Sequence, residues 1–167
     1  MWHSRETFMR AAHRAAALFD EWASPLMPYA TADHLCYRCE SSLEFDEIRR
    51  CFETPDGFVY QSFISRRRIA VIKFAPAIPT VLGPISFLEL SDQKPDGSQK
   101  SGFDHIEIYP SAGTVVELVE AFSKKHVIFA KAERPHHVTY DTKIAGSSFK
   151  IRIEPEPLIE KIRETEM

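Results

Sequence analysis

Two histidines and two glutamates recur at matching places in this 167-residue sequence, and imidazole nitrogens with carboxylate oxygens are donors that divalent transition metals take. His34 and His105 each follow an aspartate and precede an apolar residue, in Asp33-His34-Leu35 and Asp104-His105-Ile106. Glu89 lies 55 residues after His34, and Glu154 lies 49 after His105. One Zn²⁺, Ni²⁺, Co²⁺, Mn²⁺ or Fe²⁺ ion would accept such a set, with water completing its shell. A lone strand histidine is usually structural, so the repeated arrangement is what singles these four out. A paired polar network without metal is the competing expectation.

Convergence of the four requires two equivalent modules. Residues 32–39 read as a strand, and Ser41-Ser42-Leu43-Glu44 reads as a capping box opening a helix to about Glu53. A Pro55-Asp56-Gly57 turn leads to FVYQSFIS, a basic turn at Arg66-Arg67-Arg68, then IAVIKF and, after a proline-punctuated stretch, ISFLEL. Residues 91–102 are polar and rich in Gly, Ser and Pro, as a linker would be. The plan then repeats: FDHIEIYP as strand, a helix from Ser111 to about Lys124, then VIFAKAE, HHVTYD and SSFKIRIEP as strands. The expectation is an α+β chain, one domain over 1–167. It has a helical segment at 1–28, βαβββ modules at 30–91 and 102–157, and a closing helix at 158–167. In the first segment, Phe8, Ala11, Ala12, Ala15, Leu18, Phe19 and Trp22 recur at helical spacing between a Ser4 cap and a Pro25 stop. Two such modules would pair about a pseudo-twofold axis into a curved mixed sheet around a cavity.

Side-chain alternation places Cys36 and Arg38 with His34, Glu107 with His105, and Arg152 and Lys150 with Glu154. Those faces are too polar for an ordinary core, since unpaired polar groups are costly to bury. Other motifs carry less. Cys36 and Cys39 point to opposite faces of a strand and have no second pair. The triple arginine reads as a solvated turn, and at most one of His136 and His137 could face the cavity. His13 reads as a surface histidine of the first helix, and Ser147-Ser148 lacks a nucleophile-elbow setting.

A formal charge of -3 and a pI near 6.2 argue against nucleic acid and anionic membranes as partners. Three cysteines cannot all pair within the chain, and the N-terminus has no secretion-signal pattern, so a cytoplasmic protein is expected. No apolar run approaches the roughly 18 residues of a membrane span. Oligomeric state is left open.

Residues 31–39, 68–74, 87–90, 102–110 and 149–157 together resemble the vicinal oxygen chelate superfamily of glyoxalase I, methylmalonyl-CoA epimerase, extradiol dioxygenases and resistance proteins. The closest likeness is to its YecM-type branch, and it extends over almost the whole chain after the first helix. The resemblance implies metal positions at His34, Glu89, His105 and Glu154. In the YecM-type branch the last position looks to be histidine, a departure expected to preserve ligation while altering metal preference.

The resemblance further implies a metal that accepts two neighbouring substrate oxygens and stabilises a developing enolate or oxyanion. Isomerisation or epimerisation also needs a base: Glu154 and Glu89 are the candidates, and Glu107 is a third because it shares the face of His105. Arg38, Arg152 and Lys150 would hold an anionic group of a small-molecule substrate, or else form salt bridges with the ligand carboxylates. The expectation is an isomerase, epimerase or lyase on a small oxygenated anion, against a non-catalytic metal or small-molecule binding protein. An extradiol dioxygenase is disfavoured because four protein ligands crowd the open positions that chemistry needs.

Overall fold

The structure, a computed structural model, describes Trp2, residues 4–134 and residues 137–166. Helix α1 (Arg5–Ala23) opens on Ser4, whose hydroxyl accepts from Thr7 N at 3.1 Å. Its Phe8, Ala12, Ala16 and Phe19 are buried along one stripe. The first module follows as β1 (Ala30–Arg38), α2 (Ser42–Cys51), β2 (Val59–Ile64), β3 (Arg67–Ile78) and β4 (Ile85–Ser91). The second is β5 (Gly102–Pro110), α3 (Val115–Lys124), β6 (Ala130–Glu133), β7 (Val138–Lys143) and β8 (Lys150–Ile153), after which α4 (Leu158–Glu166) closes the described chain.

The eight strands form one mixed sheet in the order β2-β3-β4-β1-β5-β8-β7-β6. β1 pairs parallel with β4 and β5 parallel with β8, while β1 and β5 meet antiparallel at the centre. The order is therefore symmetric about the β1·β5 seam, and the expected pair of βαβββ modules is present. One face carries Leu35, Tyr37, Leu88, Leu90, Ile106, Ile108, Ile151 and Ile153, all buried against the helices with Phe8, Phe45 and Phe122. Alternation sends the intervening residues, including Cys36, Glu89, Glu107 and Arg152, to the other face.

Several local expectations are corrected. Ser41 caps α2 by accepting from Glu44 N, but the Glu44 carboxylate accepts from Tyr37 Oη, Glu40 N and Ser101 Oγ instead of closing the box, and the helix ends at Cys51. α3 starts at Val115, not Ser111, because Gly113 turns with φ +76° and Thr114 with Glu117 forms a complete capping box. The basic turn is shorter than expected: Ser65 and Arg66 alone make it, at φ 50° and 64°, and Arg67 and Arg68 belong to β3. Arg68 is not a solvated turn residue. It binds Asp92 and Asp46 at 2.7 Å and stacks 4.3 Å over Phe45. Strands β6 and β8 are shorter than the sequence pattern suggests. Among the described residues no helix is long and apolar enough to cross a membrane.

Candidate metal centre

Two irregularities in the central ladder create the site. Between Ala32 and Leu35, β1 advances three residues while β5 advances two, from Ile108 to Ile106; between Cys36 and Tyr37, β5 takes the extra residue, from His105 to Phe103. Each bulge contains an Asp-His pair. The bulges let Ala32 and Leu35, and likewise Phe103 and Ile106, keep to the helix side while His34 and His105 turn to the opposite face.

The aspartates fix the imidazoles. His34 Nδ1 donates to Asp33 Oδ2 at 2.8 Å, and His105 Nδ1 donates to Asp104 Oδ2 at 2.7 Å. A carboxylate only accepts, so both rings present Nε2 to the site. Asp104 is gripped by Arg38 at 2.9 Å and Lys150 at 3.4 Å, and its carboxyl lies well below its usual range because His105, Arg38 and Lys150 outweigh its burial. Asp33 accepts also from Leu158 N at 2.8 Å, tying the start of α4 to the same centre.

Four acceptors converge on one buried spot. His105 Nε2 is 3.3 Å from Glu107 Oε1, and His34 Nε2 is 3.6 Å from that oxygen and 3.5 Å from Glu89 Oε2. His34 is fully buried, yet among the described residues its Nε2 has no partner at hydrogen-bond geometry. Burial by itself would make His34 less basic; Glu107, Asp33 and Glu89 reverse this and raise its pKa well above the ordinary value. Burial would likewise raise the carboxyls of Glu107 and Glu89, and the histidines pull both below their usual range. Such a set asks for positive charge, either a proton on an imidazole or a cation among the acceptors. Ligand atoms of His34, His105 and Glu107 all lie within 4.8 Å of one another, so these three could hold a metal ion.

Glu89 and Glu107 thus adjoin the histidines, while Glu154 is engaged elsewhere. Its carboxylate accepts from Lys161 Nζ at 2.9 Å and from His137 Nε2 at 3.0 and 3.2 Å. The register explains the difference: Cys36 stands opposite Glu89 and Glu107 opposite Arg152, so Arg152, not Glu154, is the symmetry mate of Glu89. Glu107 is correspondingly the mate of Cys36, whose thiol lies 3.5 Å from Glu89 and is pushed up in pKa by burial and that carboxylate. Arg152 binds Asp141 at 2.8 and 3.1 Å and reaches His105 Nε2 at 3.4 Å; it is raised further above its usual pKa, Asp141 outweighing burial. The three cations read from sequence as substrate ligands, Arg38, Lys150 and Arg152, therefore all engage carboxylates. His137 and Lys161 reach Glu154 from segments that periodicity alone does not connect to it; His136 lies outside the described residues.

Beside the cluster is a cavity of about 550 Å³ lined by Glu89, Glu154, His137, Thr139, Arg67, Arg134 and Arg152, with Phe63, Ile64 and Ile69 along one wall. Two βαβββ modules in one mixed sheet, with a buried His/Glu cluster on the face away from the helices, define an α+β protein with a candidate metal centre at its seam. The chain belongs to the YecM protein family, whose profile matches residues 7–162. Among solved structures it is similar to a structural-genomics protein, EC4020, at 23% identity over 92% of this chain and 88% of that one, TM-score 0.66. It is also similar to methylmalonyl-CoA epimerase from Mycobacterium tuberculosis, at 13% identity over 78% and 91%, TM-score 0.47. A third likeness is to hypothetical protein BH1468 from Bacillus halodurans C-125, at 12% identity over 76% and 96%, TM-score 0.49. No curated protein matches the chain in sequence.

Proposed function

We propose that this protein binds one divalent metal through His34, His105 and Glu107, with Glu89 beside them, and that it is an isomerase, epimerase or lyase acting on a small oxygenated anion. The observation that carries the reading is the buried His34 Nε2, which among the described residues has no hydrogen bond and faces Glu89, Glu107 and His105. The ion, when bound, supplies a Lewis acid that stabilises negative charge developing on a substrate oxygen. The chain's own groups do the rest. Asp33 and Asp104 hold the Nε2 atoms inward. Glu154 takes a substrate proton at its carboxylate oxygens, which Lys161 Nζ and the Nε2–H of the half-exposed His137 hold on the cavity wall, and returns it to the substrate. We assign the protein to the cytoplasm, in keeping with its three free thiols.

The test is elemental analysis after dialysis and loading with Zn²⁺, Ni²⁺, Mn²⁺ or Fe²⁺, with His34→Ala, Glu107→Gln and Glu154→Gln beside the wild type. About one equivalent in the wild type and in Glu154→Gln, lost in the other two, is the expected result. Loss in Glu154→Gln with retention in Glu107→Gln would transfer the ligand role to Glu154. No uptake under any loading would end the metal reading.

A further inference from the structure

Arg67 differs from every other cation on the cavity wall. Arg152 and Arg134 share Asp141, at 2.8 Å and 3.2 Å, and Lys161, close by, binds Glu154. Arg67 forms no ion pair among the described residues; its guanidinium donates to Gln99 Oε1, a neutral acceptor. Gln99 is itself buried and immobilised, its Nε2 donating to the carbonyls of Cys39 at 2.7 Å and Asp92 at 2.9 Å. The linker thus orients the guanidinium without neutralising it. A partly buried charge oriented by a neutral amide keeps its full attraction for an incoming anion, and its fork geometry suits carboxylate and phosphate oxygens.

Arg67 also has an apolar surround. It pairs across the hairpin with Ile64, and Ile69 follows two residues on along the same face of β3. Ile64 is 54% exposed, far more than an isoleucine next to a hydrophobic core, and it lines this cavity. Further along β3, Val71 stands opposite Glu89, so one strand face runs from the guanidinium to the His/Glu cluster.

We infer that the cavity binds a small organic anion with an apolar substituent, its carboxylate or phosphate-type head on Arg67 and its apolar part against Ile64 and Ile69. The inference deepens the proposed function and rests on it for catalytic meaning, while binding itself is measurable without metal.

Calorimetric titration of metal-free and zinc-loaded protein with benzoate, phenylphosphonate, inorganic phosphate and benzyl alcohol tests it. The aromatic anions are expected to bind more tightly than phosphate or the uncharged alcohol, and benzoate against phenylphosphonate identifies the preferred head. Arg67→Met should weaken the better anion at least about tenfold, a loss expected for a charge-assisted hydrogen bond. Arg67→Lys should recover part of it, Ile64→Ser should weaken it severalfold, and Arg66→Gln in the exposed turn should change nothing. Unfolding midpoints keep the variants comparable as folded proteins. Equal affinity in Arg67→Met and wild type overturns the inference, as does an absence of saturable aromatic-anion binding in both metal states. Retained anion binding in a protein that takes up no zinc overturns the metal reading and leaves this one standing.

Discussion

Asp104 holds His105 from the position immediately before it in the chain, through a 2.7 Å hydrogen bond to Nδ1 that a bulge in β5 makes possible. Asp33 does the same for His34 in β1. Removing such a carboxylate leaves the imidazole in place and frees its tautomer. Asp104→Asn and Asp33→Asn are expected to weaken zinc binding about 10- to 100-fold with little loss of fold. Competition against a chromophoric chelator measures this, and unchanged affinity in both variants would remove the aspartates from the centre.

Phe8 is fully buried and meets Trp2, Tyr37, Phe52 and Phe103 at ring separations of 4.9 to 5.6 Å. With Ala12, Ala16 and Phe19 it seats α1 on the helix face of the sheet. Phe8→Ala should cost about 3–5 kcal/mol in urea unfolding through the cavity it leaves. A loss below about 1 kcal/mol would mean that α1 is not integral to the core.

Asp141 sits between Arg152 and Arg134, and Arg152 outweighs burial to hold its carboxyl below the usual range. A depressed folded value contributes stability that is present above the unfolded value, about pH 3.9, and is lost as pH falls through the folded one. The urea midpoint should therefore drop on acidification from about pH 4.5 to about pH 2.5, and less steeply in Asp141→Asn. Parallel profiles for the two proteins would contradict this assignment.

Cys36 and Cys39 are buried, and burial raises both thiols. Cys51 is only partly covered. Iodoacetamide at about pH 8 should label Cys51 alone in the native protein and all three in urea, as read by peptide mass spectrometry. Native labelling of Cys36 at a rate like that of Cys51 would show the site face open more widely than the structure has it.

The Asp-His repeat made the modules and both histidines legible, because recurrence at matched positions survives divergence of the intervening sequence. Register did not survive in the same way. A bulge inserts one residue without altering composition, so strict alternation could not reveal that Asp33 and His34 jointly occupy one step, or that Glu89 is mated to Arg152 instead of Glu154. Arg67 was hidden for a related reason. Its hairpin turns through Ser65 and Arg66, both at positive φ, where glycine or asparagine would ordinarily announce the turn, and the arginine run therefore read as one loop. Ser111 has the residue type of a cap, whereas the turn at Gly113 gives that place to Thr114 and its capping box with Glu117.

The seam between the two modules is a single antiparallel pair, β1 with β5, and His34 and His105 stand on opposite sides of it with ring centres 6.3 Å apart. An ion gripping both would act as a rivet through that joint, fastening at their midline two halves that already share one core. Its removal would leave that joint to the β1·β5 ladder and to the core that Phe8 shares between Phe52 and Phe103.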